Sequence, residues 1–383
     1  MNKLNSKILV LGLAIMSVVS CSKKGCTDAT AANFDVEAEK DDESCDYSYT
    51  VPNTYEFTDA DGNSTVSYSG QTQRMDMLGE LVSYMKTANN NPATTLDAAK
   101  MKAMYANSAG AGFTGTYDDS KQLKSKTALG DAAVQSMFEG WMDAAAAATP
   151  DSNDQYLQSP TGLEWTQMVE KGLMGACFVS QLSANYLANI ESDDNVEIEE
   201  GKTYTAMEHH WDEAYGYFTD AVDFPANGND RFWGKYATKD YLENNLGTAT
   251  DIATAFRTGR AAISSGNTAD ALAQRDIILQ EVKDMAAGMA VHYLNDVISK
   301  RNDAPGTHTE AKINHSMSEA LAFIFGIQFA TADPIMTSER VMEIVGQIEN
   351  AVNGITFSSA SLESIRDEIA TAAGFSDAIK MAL

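Results

Sequence analysis

From residue 71 onward, apolar residues recur every three or four positions. Met75, Leu78, Leu81, Val82 and Met85 keep one face over 71–87, the spacing of an amphipathic helix. A shorter helix is predicted over 96–105, and an Ala-rich one over 132–148 carries Met137, Phe138, Trp141 and Met142. Trp165, Met168, Leu173, Ala176, Val179, Leu182, Tyr186 and Ile190 define a long helix ending near 189–193. Tyr204, Met207, Trp211, Tyr215, Phe218 and Val222 define the next. Residues 225–247, with Phe232, Trp233, Tyr236 and Tyr241, read as aromatic and irregular. Thr248-Ala249-Thr250-Asp251 has the form of a capping box opening another helix. Ile278, Val282, Met285, Met289 and Tyr293 stripe 269–300, and Asp303-Ala304-Pro305-Gly306 breaks the chain. Helices over 310–329, 338–352 and 361–373 complete the pattern.

The strand-like stretch is 48–69. Thr54-Tyr55-Glu56-Phe57 and Thr65-Val66-Ser67-Tyr68 alternate across the turn residues Asp59-Ala60-Asp61-Gly62-Asn63, which predicts a hairpin leaning on a larger body. Long amphipathic helices joined by short loops predict an all-α fold, a helical bundle or two bundles side by side. The expected organisation is a signal peptide over 1–20, a tether over 21–47 and a helical domain over 48–383.

The leader follows from a second pattern. Lys3 and Lys7 precede an apolar run from Ile8 to Met16, too short for a permanent span and shaped like a secretory signal. Ser17-Val18-Val19-Ser20-Cys21 resembles a bacterial lipobox, with Val18 in place of the commoner Leu. The resemblance implies that Cys21 becomes the acylated first residue, a stable membrane anchor without a spanning helix. It places the protein on the outer membrane, on its periplasmic or cell-surface side.

Charge narrows the partners. Across 383 residues, 54 acids face 27 Lys and Arg, a net charge of −27. Removal of 1–20 takes Lys3 and Lys7 and no acid, leaving 25 against 54, a net charge of −29. Such a surface argues against nucleic acid and anionic head groups, and favours cations. Hydrophobic residues make up 44% of the chain, enough for a large core. The methionine-rich stripes read as core filler.

Cys26 and Cys45 lie close together in an exported chain, which predicts a disulfide. Cys177, in an apolar stretch, reads as a buried free thiol. Residues 25–47 resemble a short acidic cysteine module found in exported proteins of bacteroidete-type bacteria. If its cysteines pair, Asp28, Asn33, Asp35 and Asp41 are candidate Ca²⁺ ligands; a disulfide-closed spacer with a solvated acidic face is the alternative.

Five histidines stand in the chain, two of them adjacent in Met207-Glu208-His209-His210-Trp211-Asp212-Glu213. On a helix, His210 with Glu213 and His209 with Glu213 are i,i+3 and i,i+4 pairs, able to converge on iron, zinc or manganese. Glu208 supports them, or caps the helix from Thr205. His315 with Glu319 is a second i,i+4 pair, and His292 lies beside an apolar stripe; both are weaker candidates. No zincin motif, nucleophile elbow or phosphate loop is present.

The His210-x-x-Glu213 step resembles the Gly-x-His-x-x-Glu motif of imelysin-like proteins, with Glu208 where that motif has Gly. The resemblance implies two packed helical bundles and a link to iron uptake. Val51–Phe57, Val66–Thr72 and Met207–Tyr217 also resemble a family of bacteroidete lipoproteins found beside imelysin-like lipoproteins and TonB-dependent receptors, which are the implied partners. The expected function is a lipoprotein binding a metal ion or haem as an accessory of iron uptake. An imelysin-type metallopeptidase, or a non-catalytic scaffold for a glycan or protein partner, is the alternative.

Overall fold

The computed structural model describes residues 22–27, 31, 33–42, 44–46, 48–89, 91, 94–148, 156–226, 231–330, 334–349 and 358–383. The leader, Cys21 and Asp28 lie outside the described residues. The chain divides into two units, Met1–Ser48 and Tyr49–Leu383.

In the first unit Cys26 and Cys45 form a disulfide. Asp35 and Asn33 are spent on the loop itself. Asp35 accepts from Lys23 Nζ at 2.9 Å and from the Glu37 amide at 3.0 Å. Asn33 accepts from the Asp46 amide at 2.7 Å and donates to the Ser44 carbonyl. Asp41 is exposed. No Ca²⁺ cage is assembled from these side chains among the described residues.

The second unit is all-α; its described residues form no strand. The helices are α1 (Ser69–Lys86), α2 (Ala98–Ala106), α3 (Ala132–Ala147), α4 (Trp165–Leu173), α5 (Ala206–Phe218), α6 (Phe232–Ala237), α7 (Asp240–Leu246), α8 (Thr248–Ser264), α9 (Thr268–Asn302), α10 (Glu310–Ile327), α11 (Ser338–Glu349), α12 (Ser359–Ala372) and α13 (Asp377–Ala382). Several of their starts carry side-chain caps. Asp97, Asp131, Asn267 and Thr309 accept from backbone amides of the first turns, which satisfies donors that have no partner inside the helix.

Four details differ from the sequence pattern. The hairpin over 48–69 is a turn without strands. Asp59 accepts from Asp61 N and Asn63 N, and a single antiparallel bridge joins Thr58 to Ser64. Its aromatics pack on the helices instead of across a ladder: Tyr55 stacks on Tyr215 with ring centroids 3.6 Å apart. The long helix expected from 165 is α-helical to Leu173, then π-helical over Met174–Val179 and Gln181–Leu187; apolar spacing over so few turns does not separate the two periods. The irregular aromatic stretch contains α6 and α7. The box expected at Thr248 is absent: Gly247 is the N-cap of α8. Glu243 accepts from the Ala249 amide at 2.6 Å, while Thr248 Oγ1 donates to the Ala237 carbonyl at 2.8 Å.

The 35-residue α9 is the spine, packed on α8, α10 and α12. Helix α10 also lies on α4, and α5 lies on the π-helical wall. One continuous apolar core runs through these layers. Small residues let the bulky ones in. A Cβ on Gly259 would stand 2.1 Å from the Trp211 ring, whose indole N–H donates to the Phe256 carbonyl at 3.0 Å. Full burial of a side chain of that size contributes about 3 kcal/mol.

Candidate metal seat on α5

Thr205 opens α5 with a complete capping box. Its hydroxyl accepts from the Glu208 amide at 3.2 Å, and Glu208 Oε2 accepts from the Thr205 amide at 3.0 Å. The other Glu208 oxygen accepts from Arg260 at 2.6 Å. Arg260, on α8, is fully buried and commits all five donors. Nε donates to Asp212 at 2.9 Å, Nη1 to Glu208 and Ser264, and Nη2 to the Thr65 carbonyl and hydroxyl at 3.2 and 3.0 Å. Asp212, also fully buried, accepts further from Tyr55 Oη at 2.9 Å and the Ser67 amide at 3.0 Å. Burial pushes its carboxyl up against the pull of Arg260. Of the acids in the α5 motif, two are therefore internal struts that lock α5 to α8 and to the 52–69 segment. Glu208 is one of them and is not free to ligate.

The opposite side of α5 carries His209, His210 and Glu213. The Ser67 carbonyl stands 3.1 Å from His209 Nδ1. A carbonyl can only accept, so Nδ1 donates in this contact and Nε2 is the nitrogen left for another partner. That Nε2 faces Glu213 Oε2 at 3.9 Å, too long for a hydrogen bond. Tyr204 stacks on the His209 ring at 4.7 Å. Glu213 Oε1 accepts from Gln71 Nε2 at 2.7 Å, and Tyr186 also hydrogen-bonds this carboxylate. His210 turns away and places Nδ1 2.7 Å from Asp193. The side chain that meets Glu213 is thus His209, one position before the His expected from the His-x-x-Glu step.

A cation fits this donor set in part. Ligand distances of about 2.0–2.2 Å put two ligands of one ion roughly 3–4 Å apart, the span from His209 to Glu213. No group of three or more His, Cys, Asp or Glu side chains able to hold a metal occurs among the described residues. Water or a chelator must therefore fill the remaining positions.

Helix α10 repeats the pattern with a different result. His315 and Glu319 share the same i,i+4 spacing, Tyr156 stacks on His315 at 4.2 Å, and Tyr293 hydrogen-bonds Glu319. Here, however, His315 Nδ1 faces the buried Glu164 at 2.6 Å and Nε2 faces Glu319 at 3.3 Å. Both nitrogens point at carboxylates, so the ring is held as an imidazolium with no lone pair for a metal. His292 Nδ1 is bonded to the Leu383 carbonyl and its ring stacks on Tyr241 at 3.7 Å. Burial lowers its pKa, so it is a neutral packing residue.

The sequence pattern had not singled out Arg260, Arg74 or Asp193, and it read Tyr186 only as part of an apolar stripe. Arg260 left one signal, an arginine within the apolar stripe of Phe256 and Ile263. The other three act through tertiary contacts that no local spacing records.

No helix among the described residues is long and apolar enough to cross a membrane. The family described as "Domain of unknown function (DUF4856)" matches residues 52–137 and 131–376, well over half of the chain, and the chain belongs to that family. No curated protein and no solved structure matches it.

Proposed function

We propose that the protein is a lipoprotein, anchored to the outer membrane through Cys21, that takes a transition-metal cation at His209 and Glu213 as an accessory of iron uptake. The supporting observation is the orientation of His209. The Ser67 carbonyl engages its Nδ1, and its Nε2 faces Glu213 across a gap the size of an ion. Fixing the second ring nitrogen in this way is how proteins orient a ligating histidine. Two protein ligands make a loose seat, suited to cargo that arrives with other ligands and leaves again. A TonB-dependent receptor and an imelysin-like lipoprotein are the partners that go with this reading.

Titration of untagged protein with Fe²⁺, Zn²⁺ and haem tests it. His209→Ala and Glu213→Ala are expected to lose metal affinity, whereas His210→Ala retains most of it. Equal affinity in all four proteins would overturn the seat. Haem binding that ignores Glu213 would move the ligand class to haem. Metal-dependent proteolysis by the wild type would favour the peptidase alternative.

A further inference from the structure

Near Glu213 lies a group of cations with no ion-pair partner within bonding distance among the described residues. Arg74, on α1, is 5% exposed. Its Nε and Nη1 donate to the Gln122 and Gly70 carbonyls, each at 3.1 Å; among the described residues no carboxylate pairs with it. Buried arginines are almost always paired with an acid. Lys126 is the second cation. Burial, then repulsion by Arg74, lowers its pKa, and no acid lies within ion-pair distance of it among the described residues. Glu213 is near enough to act on Lys126, but it accepts from Gln71 and from Tyr186.

The third member is Tyr217. Its ring faces the Arg74 guanidinium at 6.0 Å. Its hydroxyl is fully buried and has no hydrogen-bond partner among the described residues, although buried polar groups are nearly always satisfied. The charge of Arg74 also acts on Cys177 and Tyr186, both on the π-helical wall. Departures of this kind from α-helical geometry are frequent at functional sites. Lys126 and Glu213 are partly exposed, so the group is reached from solvent on that side.

We propose that Arg74, Lys126 and the Tyr217 hydroxyl bind a small carboxylate anion. The class follows from charge and shape. Arg74, Lys126 and Lys121, which also acts on Lys126, outnumber the carboxylate of Glu213, and an anion offsets the surplus. A planar carboxylate matches the fork of a guanidinium and accepts the proton of the orphan hydroxyl. The ligand contacts neither His209 nor a metal ion, although Glu213 borders both sites.

The test uses the full chain after chelator treatment, in low-salt buffer, so that failure of the metal seat does not affect it. Acetate, succinate and inorganic phosphate are added, and melting temperature and heat of binding are measured. Acetate or succinate is expected to raise the melting temperature saturably. Arg74→Gln is expected to abolish the shift. Tyr217→Phe removes an unpartnered hydroxyl, so it folds like the wild type while weakening binding about five- to tenfold, the worth of one hydrogen bond. The absence of a saturable shift, an undiminished shift in Tyr217→Phe, or a preference for phosphate would each overturn the assignment.

Discussion

Gly175 meets Gly326 where the π-helical wall crosses α10. A Cβ on Gly175 would lie 2.5 Å from the Gly326 Cα, whereas one on Gly326 would lie 3.5 Å from the Gly175 Cα. The contact is asymmetric, and so is its consequence. Gly175→Ala forces two backbones apart in a close-packed core, where overpacking typically costs about 1–3 kcal/mol. Gly326→Ala makes an ordinary contact and gains about 1 kcal/mol of helix propensity, so its net effect is small. Urea denaturation of the two variants checks this; equal losses would contradict the crossing geometry.

The Arg260 network gives a second expectation. Arg260→Met leaves Asp212 and Glu208 buried without their cation. Breaking a buried pair from one side costs about 3–5 kcal/mol. Arg260→Lys restores the charge but supplies three donors for five acceptors, so it falls between the two. Because the same network holds Ser67 against α5, Arg260→Met is also expected to loosen His209. Equilibrium unfolding reads the first effect, and the chemical shift of the His209 ring reads the second. Stability within about 1 kcal/mol of wild type would show that the network carries little energy.

His315 makes stability depend on pH. Burial lowers its pKa, but the hydrogen bond to Glu164 and the charges of Glu319 and Glu164 outweigh burial and the opposing Lys171, so the net shift is upward. A histidine whose folded pKa exceeds the unfolded value near 6.5 stabilises the fold fully below that pH. The contribution is lost as pH rises through the folded value. His315→Gln is therefore expected to cost about 2 kcal/mol at pH 6, as for a charged hydrogen bond, and clearly less at pH 9. Unfolding curves of both proteins across this range isolate the term, since other titrating groups are common to the two. A difference that is constant or grows with pH would reverse the sign and exclude the imidazolium.

Much of the helical scaffold was legible along the chain. The stripes of 71–87 and 269–300 closely match α1 and α9, and Thr205-x-x-Glu208 forms the box its spelling suggests. Aromatic-rich 225–247 was less legible, since α6 and α7 are too short to show a helical period. The candidate site was half legible. The spacing of His209 and Glu213 placed them on one face, and the structure brings those two together. Spacing alone did not tell which histidine turns inward, because His210 is drawn off by Asp193, seventeen residues away.

The sequence by itself determined the class of fold and the list of residues able to do chemistry. Apolar period, caps and breaks are local properties, written within one or two turns of chain. Only the tertiary structure decided what each residue does. Glu208 and Glu213 sit five positions apart on one helix, yet one faces Arg260 in the core and the other faces solvent and His209. His209 and His315 share one local pattern, yet a carbonyl meets Nδ1 of the first while a buried carboxylate meets Nδ1 of the second. Protonation and ligation follow from the groups that face a side chain in space, and those groups come from helices whose approach no local pattern records.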